Sequence, residues 1–169
     1  MPRKSTLLVM VWLAATSLPA SAQVQRAIVE AEGISAACSP GLEAALKSMD
    51  TVYQYAISVQ KQMFSVTYYS GEKFDPKKLR WAADKGEAEV LRMHVSAMGK
   101  VEKDGDHQVF VSGENRFLLP DSLSVPNDVT VGIMGVVDDT GEGPMQLKPD
   151  DVKVLTDSEP AGDSAPSKE

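Results

Sequence analysis

Two spacings of apolar residues alternate along the first half of the chain. A period of two predicts strands with one buried side over residues 24–32, 52–59, 64–68 and 88–96. A period of three to four, opened each time by a Ser-Pro or Asp-Pro pair, predicts helices that begin near Pro40 and Pro76. The predicted order is therefore strand, helix, strand, strand, helix, strand.

This order predicts an α+β fold of the ferredoxin-like type, in which a βαββαβ sandwich places two helices on one face of an antiparallel sheet. We expect residues 23–97 to form this domain. Residues 98–155 show only short period-two runs, and Gly132 and Gly135 interrupt the longest of them, which favours strong curvature or a bulge. They predict a separate small all-β domain, either a curled barrel of the OB type or a β-meander that extends the first sheet.

The two ends of the chain differ from the rest. A charged start, a short apolar run and small residues ending at Ala22 match an export signal. We expect residues 1–22 to be removed as a signal peptide, leaving a periplasmic or secreted protein with no membrane span. Residues 156–169 contain no large apolar side chain and predict a disordered acidic tail.

Composition narrows the range of functions. The net charge of -7 argues against nucleic acid and anionic lipid as partners. The single cysteine, Cys38, cannot form an internal disulfide. No nucleophile elbow, phosphate loop or zinc-protease motif is present, so we do not expect an enzyme. The two histidines, His94 and His107, are expected at the surface, and alternation places His94 on the opposite face from Met93.

The stretch GISAACSPGLEAAL, which begins at Gly33 and is followed by the hairpin and second helix, resembles the heavy-metal-associated domain. That family includes copper chaperones, the N-terminal modules of metal-pumping ATPases and periplasmic mercury-binding proteins. The resemblance covers residues 24–97 and implies a ferredoxin-like fold that binds soft metal ions through a Gly-Met-x-Cys-x-x-Cys loop.

The loop of this chain departs from the family at both ligand positions. Gly33 and Pro40 match family residues, but Ala36 and Ser39 stand where the two ligand cysteines occur. Cys38 lies one residue before the second of these positions. Ser39 is instead expected to cap the first helix.

Cys38 is the one candidate metal ligand of this loop. A position just before a helix N-terminus favours a thiolate, which suits Cu(I) or another thiophilic ion. One thiolate per chain suggests that a metal ion would be shared by a homodimer through the Cys38 loop. The sequence thus predicts soft-metal binding or sensing by a degenerate loop. The alternative is that Cys38 is a buried small residue and that the protein is a metal-independent interaction module with a protein partner in the periplasm.

Overall fold

The computed structural model describes residues 22–141 and 143–155. The predicted signal peptide, apart from Ala22, and the predicted acidic tail lie outside the described residues. The ten elements follow the predicted succession and are, in chain order, β1 (Gln23–Glu32), α1 (Ser39–Lys47), β2 (Val52–Ser58), β3 (Met63–Tyr68), α2 (Pro76–Lys85), β4 (Glu89–Asp104), β5 (His107–Ser112), β6 (Asn115–Leu118), β7 (Thr130–Asp138) and β8 (Gln146–Val154).

The fold class predicted from the sequence is wrong. Strands make up 50% of the described residues and helices 14%. The strands form one eight-stranded sheet in the order β2-β3-β1-β4-β5-β6-β8-β7. A mostly β architecture with a closed five-stranded barrel thus replaces the α+β ferredoxin-like βαββαβ sandwich with an appended unit. The physical reason is β4, which runs for 16 residues through Ala97 and Met98 without a break and carries the sheet directly into the barrel.

The barrel closes because β4 uses both of its edges. One edge pairs antiparallel with β1 and then with β5, while the other pairs antiparallel with β7. The remaining seam is the parallel contact of β6 with β8 at Leu118 and Gln146. Of the two alternatives predicted for the second half, the structure contains the barrel, and its strand order is compatible with the OB type.

Two glycines allow strands of the barrel to approach closely. A Cβ atom at Gly99 would overlap the carbonyl oxygen of Val111, and one at Gly135 would overlap that of Lys148. The register of β7 against β8 shifts between Met134 and Gly135, which marks a β-bulge. The predicted irregularity at Gly135 is therefore confirmed.

Buried polar side chains join the first half to the barrel. Within the described residues they are Gln23, Ser112 and Asn115. Asn115 pairs with both backbone groups of Phe74, since its Oδ1 accepts from the Phe74 N–H at 3.1 Å and its Nδ2 donates to the carbonyl at 2.7 Å. Gln23 Oε1 accepts from the N–H of Gly71, and Ser112 Oγ donates to a carbonyl of β4 at 2.8 Å. The loop before α2 is therefore fixed by Gln23 of β1 on one side and by Asn115 of β6 on the other. We call this region the junction.

A row of aromatic rings in successive contact extends from this loop into the core. The centroids of Tyr68 and Phe74 lie 6.2 Å apart, those of Phe74 and Phe117 6.3 Å, and those of Phe117 and Phe110 6.2 Å. Tyr68 is buried, and its hydroxyl has no hydrogen-bond partner in the described ranges. Burial raises the pKa of Tyr68, because the charged form would lose its hydration.

Helix α2 is anchored at its N-terminus and at its middle. Asp75 caps it, as predicted, by accepting a hydrogen bond from the Lys77 N–H at 3.0 Å. Arg80 binds Asp139 of the β7–β8 loop through Nε at 2.9 Å and Nη2 at 2.5 Å, and this contact lowers the pKa of Asp139. Neither helix in the described part of the chain is long and apolar enough to cross a membrane.

The junction yields a test of stability. Asn115→Ala leaves the buried N–H and carbonyl of Phe74 without partners, so we expect a loss of roughly 2–4 kcal/mol in the free energy of unfolding, measured with urea. Tyr68→Phe is the matched control, because it removes a buried hydroxyl that bonds to nothing in the described residues. It should change stability by less than about 1 kcal/mol. Equal losses in the two variants would contradict the assigned role of Asn115.

Candidate functional site

The loop that resembles a metal site is held by one glutamine. Gln62, in the β2–β3 turn, accepts at Oε1 from the N–H groups of Gly33 and Ile34 at 3.0 and 3.1 Å. Its Nε2 donates to the Ile34 carbonyl at 2.7 Å. Gln62 itself has a positive φ of 51°, which aims its side chain from a strained turn. Sequence analysis leaves residue 62 between two predicted strands and does not predict these hydrogen bonds.

The first turn of α1 is built differently from the prediction. Cys38, not Ser39, occupies the N-cap position, and no side chain caps the helix there. Ser39 Oγ instead donates to the carbonyl of Ser35 at 2.5 Å, and Ser35 Oγ accepts from the Cys38 N–H at 3.2 Å. Pro40 follows at the start of the helix, as predicted. These short-range bonds fix the backbone around the thiol.

The donor set around Cys38 does not fit a thiophilic ion in one chain. The half-buried thiol donates to Glu87 Oε2 at 3.3 Å, and a carboxylate is a hard ligand. Ala36 is exposed and has no donor atom. The described residues contain no group of three or more His, Cys, Asp or Glu side chains that could hold a metal ion. A monomer therefore offers one soft donor, whereas Cu(I) or Hg(II) in linear coordination needs two.

The other candidate ligands lie elsewhere. Met93 is buried, while His94 lies on the opposite face of β4, as alternation predicts. The Nε2 of His94 lies 3.2 Å from Glu30 Oε1, and its Nδ1 lies 3.7 Å from Asp150 Oδ2. His107 is exposed, as predicted, and belongs to the barrel. The fold therefore does not bring either histidine together with Cys38.

We predict that two substitutions create a metal site in this loop. Ala36→Cys with Ser39→Cys, in a Cys38→Ala background, places two thiols at the spacing that soft ions require, so one Cu(I) per chain should bind tightly. Anaerobic competition with a chromogenic chelator measures this. Cys38→Ala alone is the control and should bind none. A wild-type monomer that competes as well as the engineered loop would contradict the donor-set argument.

A second concave site lies on the outside of the barrel. Its volume is about 380 Å³. Val109 of β5, Leu118 of β6 and Pro144 of the β7–β8 loop form the apolar part of its lining. Arg116 of β6, Asp104 at the end of β4 and His107 at the start of β5 complete it. We call this site the barrel groove. Sequence analysis missed it, because its lining comes from three separate segments.

The barrel groove carries both signs of charge. Arg116 reaches Glu102 Oε2 at 3.4 Å and Asp104 Oδ2 at 3.6 Å, and more than half of its side chain is exposed. His107 Nδ1 lies 2.9 Å from Asp121 Oδ1. This hydrogen bond raises the pKa of His107, and nearby carboxylates reinforce the effect. The groove thus places the guanidinium of Arg116 and the imidazole of His107, each beside a carboxylate, next to an apolar surface.

The chain matches no known family model, and no curated protein matches it.

The electrostatics of the groove can be tested by NMR. His107 should titrate above the usual range of histidine, because Asp121 stabilises the protonated ring. Asp121→Asn should lower the midpoint, which a pH series of imidazole proton shifts would detect. The chain has two histidines, so His94→Gln assigns the signals. An unchanged His107 midpoint in Asp121→Asn would contradict the contact.

Proposed function

We propose that this protein is an exported, non-catalytic module that binds an extended segment of a partner protein in the barrel groove without using a metal. The observation that carries the proposal is the groove itself, with an apolar surface beside the exposed guanidinium of Arg116. Soft-metal binding through Cys38 is the second candidate, favoured by the half-buried thiol at the start of α1.

The position of the groove supports a binding role. In this proposal the barrel is of the OB type, with β4, β5, β6, β7 and β8 as its first to fifth strands. OB barrels bind extended polymers across their second and third strands, between the loops that follow the first and fourth strands. The corresponding strands here are β5 and β6. They line the groove together with Pro144 of the β7–β8 loop and with Asp104 and His107, the two residues that flank the β4–β5 turn.

The chemistry of the groove favours a polypeptide over nucleic acid. Single-stranded nucleic acid needs exposed aromatic rings and a basic surface. Phe110 and Phe117, the aromatic residues of β5 and β6, are fully buried. The chain is also acidic, with a net charge of -7. These features leave no stacking platform on the face where a polymer would lie.

The expected ligand has an apolar side chain close to a carboxylate. Leu118 and Val109 provide the surface for the apolar group. The guanidinium of Arg116 makes only long contacts with Glu102 and Asp104, so it can turn to a ligand carboxylate and form a bidentate pair. We therefore expect peptides in which an aliphatic or aromatic residue lies next to Asp, Glu or a terminal carboxylate.

Selection from a random peptide library on phage tests the proposal. The protein without residues 1–22 is immobilised, and selected peptides are synthesised and titrated by fluorescence anisotropy. Leu118→Lys should abolish binding, because it places a charge on the apolar surface. Arg116→Ala should weaken binding by about tenfold, which corresponds to about 1.4 kcal/mol.

Met134→Lys is the matched control for these variants. Met134 is exposed on β7, outside the groove, and its replacement should leave the affinity unchanged. Peptides that bind all variants equally would overturn the groove as the site. Selection of no peptide, together with binding of an oligosaccharide that Leu118→Lys abolishes, would overturn the polypeptide assignment.

A further inference from the structure

The edge of the sheet formed by β2 is open to pairing over most of its length, with one β-bulge between Val52 and Gln54. β2 is the terminal strand and pairs only with β3 among the described strands. Its sequence, VYQYAIS, contains no charged residue, proline or glycine. Gln54 and Ala56 are exposed on it. Such an edge is a template for another strand.

The other end of the sheet is protected. β8 pairs with β6 only at Leu118 and Gln146, so most of its second edge has no strand beside it in the described ranges. That stretch contains Lys148, Pro149 and Asp150, and charged residues and proline discourage strand addition. The chain therefore blocks pairing at one edge and leaves it open at the other.

We propose that two copies of this chain associate by antiparallel pairing of their β2 strands about a two-fold axis at Tyr55. In this register Gln54 of each copy lies opposite Ala56 of the other, on the C-terminal side of the β-bulge between Val52 and Gln54. The sheet then continues from one subunit into the next. A two-fold arrangement is the commonest way in which identical chains associate.

Charges at the ends of β2 complement each other in this arrangement. Asp50 precedes the strand, Lys61 follows it, and both are exposed. Antiparallel pairing brings the turn that carries Asp50 in each copy to the same end as the turn that carries Lys61 in the other. Within one chain the seven-residue strand β2, about 23 Å long, lies between the two turns that carry them, so solvent screens their attraction. The pairing thus creates two ion pairs that a monomer cannot form.

Helix α1 adds a second complementary pair near the axis. The Tyr55 hydroxyl donates to Glu43 Oε1 at 3.1 Å, and the Nζ of Lys47 lies 2.7 Å from the same oxygen. A two-fold axis at Tyr55 therefore brings the two α1 helices together with one positive and one negative side chain each. Opposite charges can then face each other across the axis.

This dimer is different from one bridged by a metal at Cys38. The Cys38 loop lies beside Gln62, past the C-terminal end of β2. Antiparallel pairing places the two Cys38 loops at opposite ends of the paired strands. One ion cannot bridge them, so the association should persist with a chelator and in Cys38→Ala. The inference is also independent of the barrel groove.

Sedimentation equilibrium over a concentration series, with a chelator present, tests the proposal by charge reversal. Asp50→Lys and Lys61→Asp should each weaken the dimer by about tenfold, because each replaces two attractions by two repulsions. The double variant Asp50→Lys/Lys61→Asp should restore the wild-type dissociation constant. Asp84→Lys, on the exposed face of α2, makes the same charge change away from the edge and should have no effect.

A second variant tests the strand itself. Gln54→Lys with Ala56→Lys places like charges opposite each other only in the dimer, so it should give a monomer with the wild-type circular dichroism spectrum and thermal midpoint. A wild-type protein that is monomeric at about 100 µM would overturn the proposal. A dimer that survives both lysines, that the double reversal fails to restore, or that disappears in Cys38→Ala would also overturn it.

Discussion

The whole structure depends on the backbone pairing of one strand. β4 forms antiparallel ladders with β1, β5 and β7, and no other strand in the described part of the chain has three such partners. Its buried side chains alternate without interruption from the first half into the barrel, from Met93 through Val95 and Ala97 to Val101. Because one face of one strand contributes to the core of both halves, neither half can lose β4 and keep its own core.

The backbone shape of the Cys38 loop does not depend on the metal-binding atoms that the loop carries. The loop lies at the end of the sheet and is fixed by Gln62, whatever donors it carries. Metal binding requires two thiolates, which the backbone arrangement alone does not supply. The loop can therefore keep its shape with one cysteine. The barrel groove, by comparison, has the groups that a ligand needs, namely an apolar surface and the guanidinium of Arg116.

Local signals in the sequence predicted the elements but not how the strands combine. The Asp75-Pro76 pair starts α2 as expected, and HQVFVS forms β5. The predicted fold class is wrong because it treats residues 24–97 as a complete βαββαβ sandwich. The alternation of buried residues in β4 in fact continues through Ala97 into the barrel. Residue type predicts Ser39 as the N-cap of α1, whereas in the structure its hydroxyl donates to the carbonyl of Ser35.

Features that depend on tertiary contact left no pattern to detect. The groove unites Arg116, Leu118 and Pro144, which are adjacent only after the barrel closes. The hydrogen bonds between Asn115 and the backbone of Phe74 join residues 41 positions apart. An asparagine at the end of a turn is common for local reasons, so its sequence context gives no indication of such a contact.

Native-state hydrogen exchange tests most directly whether β4 makes the two halves one cooperative unit. The account predicts that the most protected amides of β1, β4 and β7 exchange with free energies within about 1 kcal/mol of one another and of global unfolding. Barrel amides that stay protected while those of β1 and β3 exchange through a much lower opening free energy would contradict it.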